Sequence, residues 1–296
     1  MSRPAVWSLY AILVLVWSST WVSIKIGLDD LPPLFGAGIR FVLAGAVLLA
    51  GAAAARRTIA STDWRLAALL GVLPFAATYG LIYWAEQYVP SGLAAVLFGV
   101  LPLYVALLAA VLLPQEPLRP RLLAGIGIAI AGLALAFKES LDLGHGELAA
   151  LAAGAVLLSP VASAIGNVAI KLRAAKTDAV VLNGWAMLLA GVLLLAGSAP
   201  FEAWGDAAWS AEAVGSILYL ALAGTAFTFV TLTVLLRELP AVTISFISVL
   251  LPFGALAFGA LLEDERITPA VVAGAALVAA GIAVAQWPAR RAVSAG

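Results

Sequence analysis

Cysteine is absent from this sequence, so disulfide frameworks, thiolate nucleophiles and sulfur-rich metal sites are excluded. Histidine occurs once, at His145 between two glycines, and one imidazole gives a metal site almost nothing to build on. Charge is scarce too. Lys, Arg, Asp and Glu make up 11% of the 296 residues, against about 25% in an ordinary soluble domain. With no Cys, one loop His and no Asp or Glu deep within an apolar stretch, acid–base and nucleophilic chemistry have almost no candidates, which argues against a membrane-embedded enzyme.

What is present is apolar. Hydrophobic residues fill 64% of the chain and mean hydropathy is +1.09, so the chain belongs in lipid. A spanning helix needs roughly 20 mostly apolar residues. Ten stretches qualify: 5–27, 33–55, 66–88, 91–112, 121–138, 147–169, 180–199, 213–236, 240–262 and 269–287. The first lacks a small-residue cleavage signature and is too long for a secretory core, so it reads as a retained span. Short connections such as Asp29-Asp30-Leu31-Pro32-Pro33 and Pro114-Gln115-Glu116-Pro117 carry turn chemistry.

The formal net charge of zero hides an asymmetry. One side of the ten-span arrangement collects Arg3, Arg56, Arg57, Arg65, Arg119, Arg121, Lys171, Arg173, Lys176, Arg237, Arg290 and Arg291, twelve of the sixteen basic residues. Lys25, Arg40, Lys138 and Arg266 fall on the other. By the positive-inside rule both termini are cytoplasmic, and an even span count independently requires them to share a side.

The second half of the sequence repeats the first. Val89-Pro90-Ser91-Gly92 through Pro102 matches Leu239-Pro240-Ala241-Val242 through Pro252 at an offset of 150. Glu116, Pro120, Gly125 and Gly132 match Glu265, Pro269, Gly274 and Gly281 at 149, and Lys25 matches Lys171 at 146. A duplicated unit with five spans sits in the membrane in two opposite orientations. The expected fold is therefore an all-α integral membrane domain of ten helices in two inverted five-helix repeats, residues 1–140 and 146–296.

Together, Trp17-Ser18-Ser19-Thr20-Trp21, Arg40-Phe41, Pro102, the Glu116 and Glu265 loop positions and the Gly125 to Gly132 and Gly274 to Gly281 pairs resemble the drug/metabolite transporter superfamily. Within it the chain looks like the EamA-type ten-helix permeases, over essentially its whole length. The resemblance implies export of small metabolites such as amino acids from bacteria, while related branches carry nucleotide sugars or triose phosphates. It does not specify the substrate.

In-span polar groups usually face the bundle interior. Trp17, Trp21 and Lys25 form one stripe on helix 1, with Thr20 beside it, and Ser159, Ser163, Asn167 and Lys171 form another on helix 6. At offset 146, Ser163, Asn167 and Lys171 are the images of Trp17, Trp21 and Lys25, so the two stripes suggest one cavity between the repeats. Helix 3 offers Thr78, Tyr79 and Tyr83, with Glu86 one turn further outward; helix 8 offers Thr225, Thr228, Phe229 and Thr231. Phe98 extends this wall, whereas Tyr104 and Phe246 read as lipid-contact or helix-packing residues. Arg40, whose image is Ala186, suits a carboxylate; pairing with Glu86 or Asp29, or reaching the outer interface, are its other options. Lys25 and Lys171 lie near helix ends, where snorkelling is the simpler role. Pro102 and Pro252 are either hinges or fixed bends. Gly125, Gly127, Gly132, Gly274 and Gly281 read as close-packing positions.

The expected function is an inner-membrane exporter of small metabolites, amino acids with aromatic or apolar side chains foremost, working by alternating access. Efflux of hydrophobic drugs is the alternative. No cofactor or metal is expected. The partners are a small-molecule substrate and the lipid bilayer, not nucleic acid, in a monomer or weak homodimer.

Overall fold

The structure, a computed structural model, describes residues 1–60, 62–138, 147–262 and 268–286. His145, Glu265, Arg266, Arg290, Arg291 and the boundary between the repeats fall outside the described residues. Ten helical stretches follow one another: α1 Arg3–Leu28, α2 Pro33–Ala54, α3 Trp64–Ala85, α4 Ser91–Leu112, α5 Pro120–Ala136, α6 Glu147–Arg173, α7 Ala179–Ser198, α8 Ala211–Glu238, α9 Ala241–Ser245 with Ile247–Leu262, and α10 Pro269–Gln286. No strand occurs among the described residues. Eight of these stretches are long and apolar enough to cross a membrane, and α5 and α9 add shorter apolar helices. Proline opens α2, α5 and α10, where a missing N–H costs nothing. Asp63, Asp178 and Ser210 cap α3, α7 and α8 through side-chain oxygens.

Each half packs against its own image. Gly38 and Gly45 of α2 lie seven residues apart, as do their images Gly184 and Gly191 of α7. A methyl group on Gly45 would stand 2.7 Å from the Gly184 carbonyl oxygen, and one on Gly191 would stand 2.9 Å from that of Gly38. α5 and α10 repeat the arrangement: a methyl on Gly125 would meet the Gly281 oxygen at 2.5 Å, and one on Gly132 would meet the Gly274 oxygen at 2.7 Å. Lipid supplies no hydrophobic drive for helix association, so backbone approach at small residues holds these pairs. Gly127 is a correction to this group, because a methyl there would meet open space.

Helical continuity breaks at matched places. α3 widens into a π-helical turn over Gly71–Ala77 and α8 does so over Leu222–Phe227. In α3 the cause is Pro74, which cannot donate to the carbonyl four residues back. α8 has no proline there, and its Gly224 carbonyl accepts from side chains of α1 and α2. α4 breaks between Phe98 and Leu101, and α9 breaks at Phe246. Both breaks precede the paired prolines, but they are not in register. Gly99 weakens α4 three residues before Pro102, whereas its image Val249 keeps the helix Ile247–Leu262 unbroken through Pro252.

The two halves are joined unequally at the two faces. Four ion pairs occur among the described residues: Arg57 with Asp178 and Arg173 with Asp63, both at 2.8 Å, the N-terminal amine with Glu238 at 3.4 Å, and Lys171 with Glu116 at 3.6 Å. Every one links the first half to the second, and all lie on the face that carries the N-terminus and most of the basic residues. On that face Glu116 also accepts from the backbone N–H of Ala241 at the start of α9.

Candidate functional site

A cavity of about 820 Å³, the open solvent at its mouth included, lies between the halves. Its walls come from α1, α3, α4, α6, α8 and α9. Seven of the twelve sequence candidates line it: Trp17, Thr20, Trp21, Tyr79, Phe98, Ser163 and Asn167. The two stripes on α1 and α6, images of one another, therefore do meet in one space. The other five, Arg40, Thr78, Tyr83, Ser159 and Thr228, are buried in a polar layer behind the wall.

The wall is aromatic and tightly coupled. Phe229 of α8 is its centre, with ring centroids 4.7 Å from Phe75, 5.3 Å from Trp17 and 6.0 Å from Tyr79. Trp21 meets Phe98 edge-on at 5.8 Å. Such pairs each contribute about 0.5–1.5 kcal/mol beyond their buried area, so the wall holds its shape. Polar groups are few. Ser245 and Ser248 flank the break in α9 and donate to the carbonyls of Val242 and Ser245. Ser163 shares a hydrogen bond with Thr78 at 3.2 Å, and the Thr20 hydroxyl donates to the Trp17 carbonyl at 2.8 Å. The Asn167 amide has no hydrogen-bond partner among the described residues. Among the described residues no ionised side chain is part of the lining.

Behind the wall the polar layer converges on the wide turn of α8. The Trp17 indole donates to the Gly224 carbonyl at 3.2 Å and to the Thr228 hydroxyl at 3.0 Å. Arg40 is fully buried and directs its guanidinium to Thr225 at 2.7 Å, the Tyr83 hydroxyl at 3.2 Å and the Gly224 carbonyl at 3.3 Å. Its guanidinium carbon also sits 4.8 Å from the Tyr79 ring centroid, on a ring that faces the cavity. Arg40 thus braces Tyr79 from behind and makes no ion pair with Glu86 or Asp29 among the described residues. Thr78 reaches the Ser159 carbonyl at 3.2 Å and ties α3 to α6.

The paired lysines take equivalent places rather than snorkelling freely. Lys25 donates to the Glu86 carbonyl at 2.8 Å at the end of α3, and Lys171 donates to the Leu239 carbonyl at 2.6 Å at the end of α8. Glu86, read from the sequence as lying outward of the functional stripe, is fully buried. Tyr104 donates to the Leu157 carbonyl and Phe246 is buried in the core, so both pack helices as expected.

Sequence reasoning missed part of the wall. Pro74, Phe75, Ser245 and Ser248 line the cavity, while Phe229 was noted without its central place. The signal available was proline: Pro74 sits in the wide turn of α3, and the two serines flank the break that precedes Pro252. Among the described residues no three His, Asp or Glu side chains come together as a metal site requires.

Known proteins share both the fold and the sequence. A solved crystal structure superimposes with a TM-score of 0.82 over 99% of this chain and 100% of that one, at 21% sequence identity. The uncharacterized transporter YoaV of Bacillus subtilis is 30% identical over 277 residues, covering 91% of this chain and 92% of its own. The "Probable terminal-alkyne amino-acid exporter" of Streptantibioticus cattleyicolor is 30% identical over 280 residues, 94% of this chain and 92% of that protein. The "Probable amino-acid metabolite efflux pump" of Escherichia coli K12 is 29% identical over 283 residues, 92% and 91% of the two chains. The EamA-like transporter family matches twice, at residues 5–138 and 150–286, once in each half. This chain is a multi-pass membrane protein and belongs to the EamA-like transporter family.

Proposed function

We propose that the protein exports amino acids with apolar or aromatic side chains across the bacterial inner membrane, by alternating access of the cavity between repeats 1–140 and 146–296. The basic face is cytoplasmic, and the working unit is a monomer or weak homodimer. One observation carries the substrate class: the cavity combines an aromatic wall (Trp17, Trp21, Phe75, Tyr79, Phe98, Phe229) with an unengaged amide, Asn167, and, among the described residues, no ionised lining residue. Such a wall accepts an apolar side chain and offers no counter-ion to a strongly cationic drug.

The helix breaks supply partial charges for a zwitterion. The half-helix Ile247–Leu262 begins at Ile247 and Ser248 in the cavity wall, where its positive dipole end favours a carboxylate. The half-helix Ser91–Phe98 ends at Phe98 in the same wall, and its carbonyl end favours an ammonium group. Pro102 opens the half-helix after the break in α4, Pro252 lies within the half-helix after the break in α9, and both serve as hinges.

The test is uptake of labelled L-phenylalanine, L-tryptophan and L-leucine into proteoliposomes. Uptake above protein-free vesicles, lowered by Trp17→Ala or Tyr79→Ala, is expected. Uptake equal to protein-free vesicles across a broad amino-acid panel would overturn the assignment.

A further inference from the structure

Glu86 directly follows α3, is fully buried, and has two carboxylate oxygens without a hydrogen-bond partner. Burying an ionised carboxylate without partners is costly. The groups that act on it electrostatically are Lys25 of α1, Arg40 of α2 and, one turn back on its own helix, Tyr83. Neither cation forms an ion pair with it. Lys25 donates to the backbone carbonyl of Glu86 instead, and Arg40 is engaged by Thr225, Tyr83 and Gly224.

This arrangement suits a neutral carboxylic acid, which tolerates burial while both cations rest on uncharged acceptors. A bare anion in the same place pulls on them. If Lys25 answers, the end of α3 is released from α1. If Arg40 answers, it leaves the wide turn of α8 and withdraws its support from Tyr79 in the cavity wall. The charge on Glu86 is therefore connected to the shape of the cavity through named contacts. Tyr83, one turn back from Glu86, lines a smaller recess of about 220 Å³ together with Gly27, Pro32 and Ser216, at the face opposite the N-terminus, and Glu86 itself lies behind that lining.

We propose that Glu86 is the coupling site of this transporter, binding one proton on the face opposite the N-terminus and releasing it on the other, so that substrate export is exchanged for inward proton movement. A proton from water adds to one carboxylate oxygen; after the conformational change that O–H bond breaks and the proton returns to water. A sodium ion is a poor substitute, because Lys25 and Arg40 repel it. The proposal rests on the transport function above.

The test uses the full-length protein in liposomes, with labelled L-phenylalanine as probe and a trapped pH-sensitive dye. With the membrane potential clamped at zero, since the exchange moves one charge, a gradient of one pH unit should drive about tenfold accumulation if one proton is exchanged. Glu86→Gln should lose this drive and the dye response, yet still exchange phenylalanine for phenylalanine, which shows that it folds; Glu86→Asp should keep the drive with a displaced pH profile. Wild-type uptake indifferent to the gradient, or driven by sodium, overturns the proposal, as does a gradient-driven Glu86→Gln. If no amino acid is taken up at all, the transport assignment fails and a substrate-free measurement decides on Glu86. Acid–base titration of purified wild type and Glu86→Gln should then differ by one proton; identical curves overturn the site.

Discussion

Trp17 and Arg40 donate to the same atom. The indole of Trp17 and the guanidinium of Arg40 lie 3.2 and 3.3 Å from the Gly224 carbonyl oxygen, one from the cavity side and one from behind the wall. That carbonyl belongs to the wide turn of α8, and Thr228 adds a third donor at 2.8 Å. A cavity residue and a buried cation are therefore joined through one oxygen.

Trp17→Phe keeps an aromatic ring and removes the donor. The indole N–H is shared between the Gly224 carbonyl and the Thr228 hydroxyl, and losing that donor is worth about 1 kcal/mol, so initial uptake should fall roughly fivefold while Trp17→Ala, which opens the wall, falls further. Initial-rate uptake in proteoliposomes checks this; equal rates for Trp17→Phe and wild type would show that the shared carbonyl has no role in transport.

Arg40→Ala leaves Thr225 and the Tyr83 hydroxyl without the guanidinium, takes one of three donors from the Gly224 carbonyl and removes the support of Tyr79. The expected cost is about 3 kcal/mol, read as a lower apparent Tm in detergent. Arg40→Lys keeps the charge but loses the planar fork and should fall between the two. An Arg40→Lys protein as stable as wild type would contradict the geometry.

Asn167→Leu removes the unengaged amide with little change in volume. Its effect should appear as a raised half-saturating concentration, by about tenfold for a lost polar contact to substrate, with folding unaffected. Unchanged saturation kinetics would take Asn167 out of the binding site.

Gly281→Val places bulk 2.6 Å from the Gly125 carbonyl and should separate α5 from α10, at a cost of about 1–3 kcal/mol or more. Gly127→Val is the control, since its position faces open space. Thermal unfolding of the two variants should differ clearly.

The two aspartate caps on the basic face set an acid limit. The backbone N–H of Leu66, and then Arg173, hold Asp63 below the usual 3.8. For Asp178 burial pushes the carboxyl up, and the N–H groups of Val181 and Val180 with Arg57 outweigh it, so it too lies below 3.8. Depressed values mean that the stabilisation is present above 3.8 and is lost as pH falls through the lower folded values. Apparent Tm should therefore fall below that pH, and Asp63→Asn should show a smaller fall. The same pH dependence in Asp63→Asn and wild type would assign the acid limit elsewhere.

Spans, inverted repeats and the glycine pairs are readable from hydropathy and fixed offsets, because each is written in one dimension. Much of the cavity is readable too: the images Trp17 with Ser163 and Trp21 with Asn167 meet across it. The wide turn of α8 is not, since no proline marks it. Such a turn adds a residue and rotates the following face by roughly 100°, which splits a stripe that looks continuous in sequence. Phe229 turns into the cavity while Thr225 and Thr228 turn toward Arg40 and Trp17. The burial of Glu86 escapes detection for another reason. It stands where the apolar run ends, and only the packing of α1 and α2 over that end shows that it is closed off from water.

The glycine contacts have a meaning beyond packing. Gly45 meets Gly184 and Gly191 meets Gly38, just as Gly125 meets Gly281 and Gly132 meets Gly274. Residue i touches j′ while j touches i′, which is the signature of an isologous interface, here written within a single polypeptide. The two halves are related as subunits of an antiparallel dimer fused end to end. A substitution at one of these glycines therefore damages one of two equivalent contacts, while the Trp17 and Arg40 side has no second copy. Mutational tolerance should follow that division, with the scaffold buffered by its own duplicate and the chemistry of the cavity unprotected.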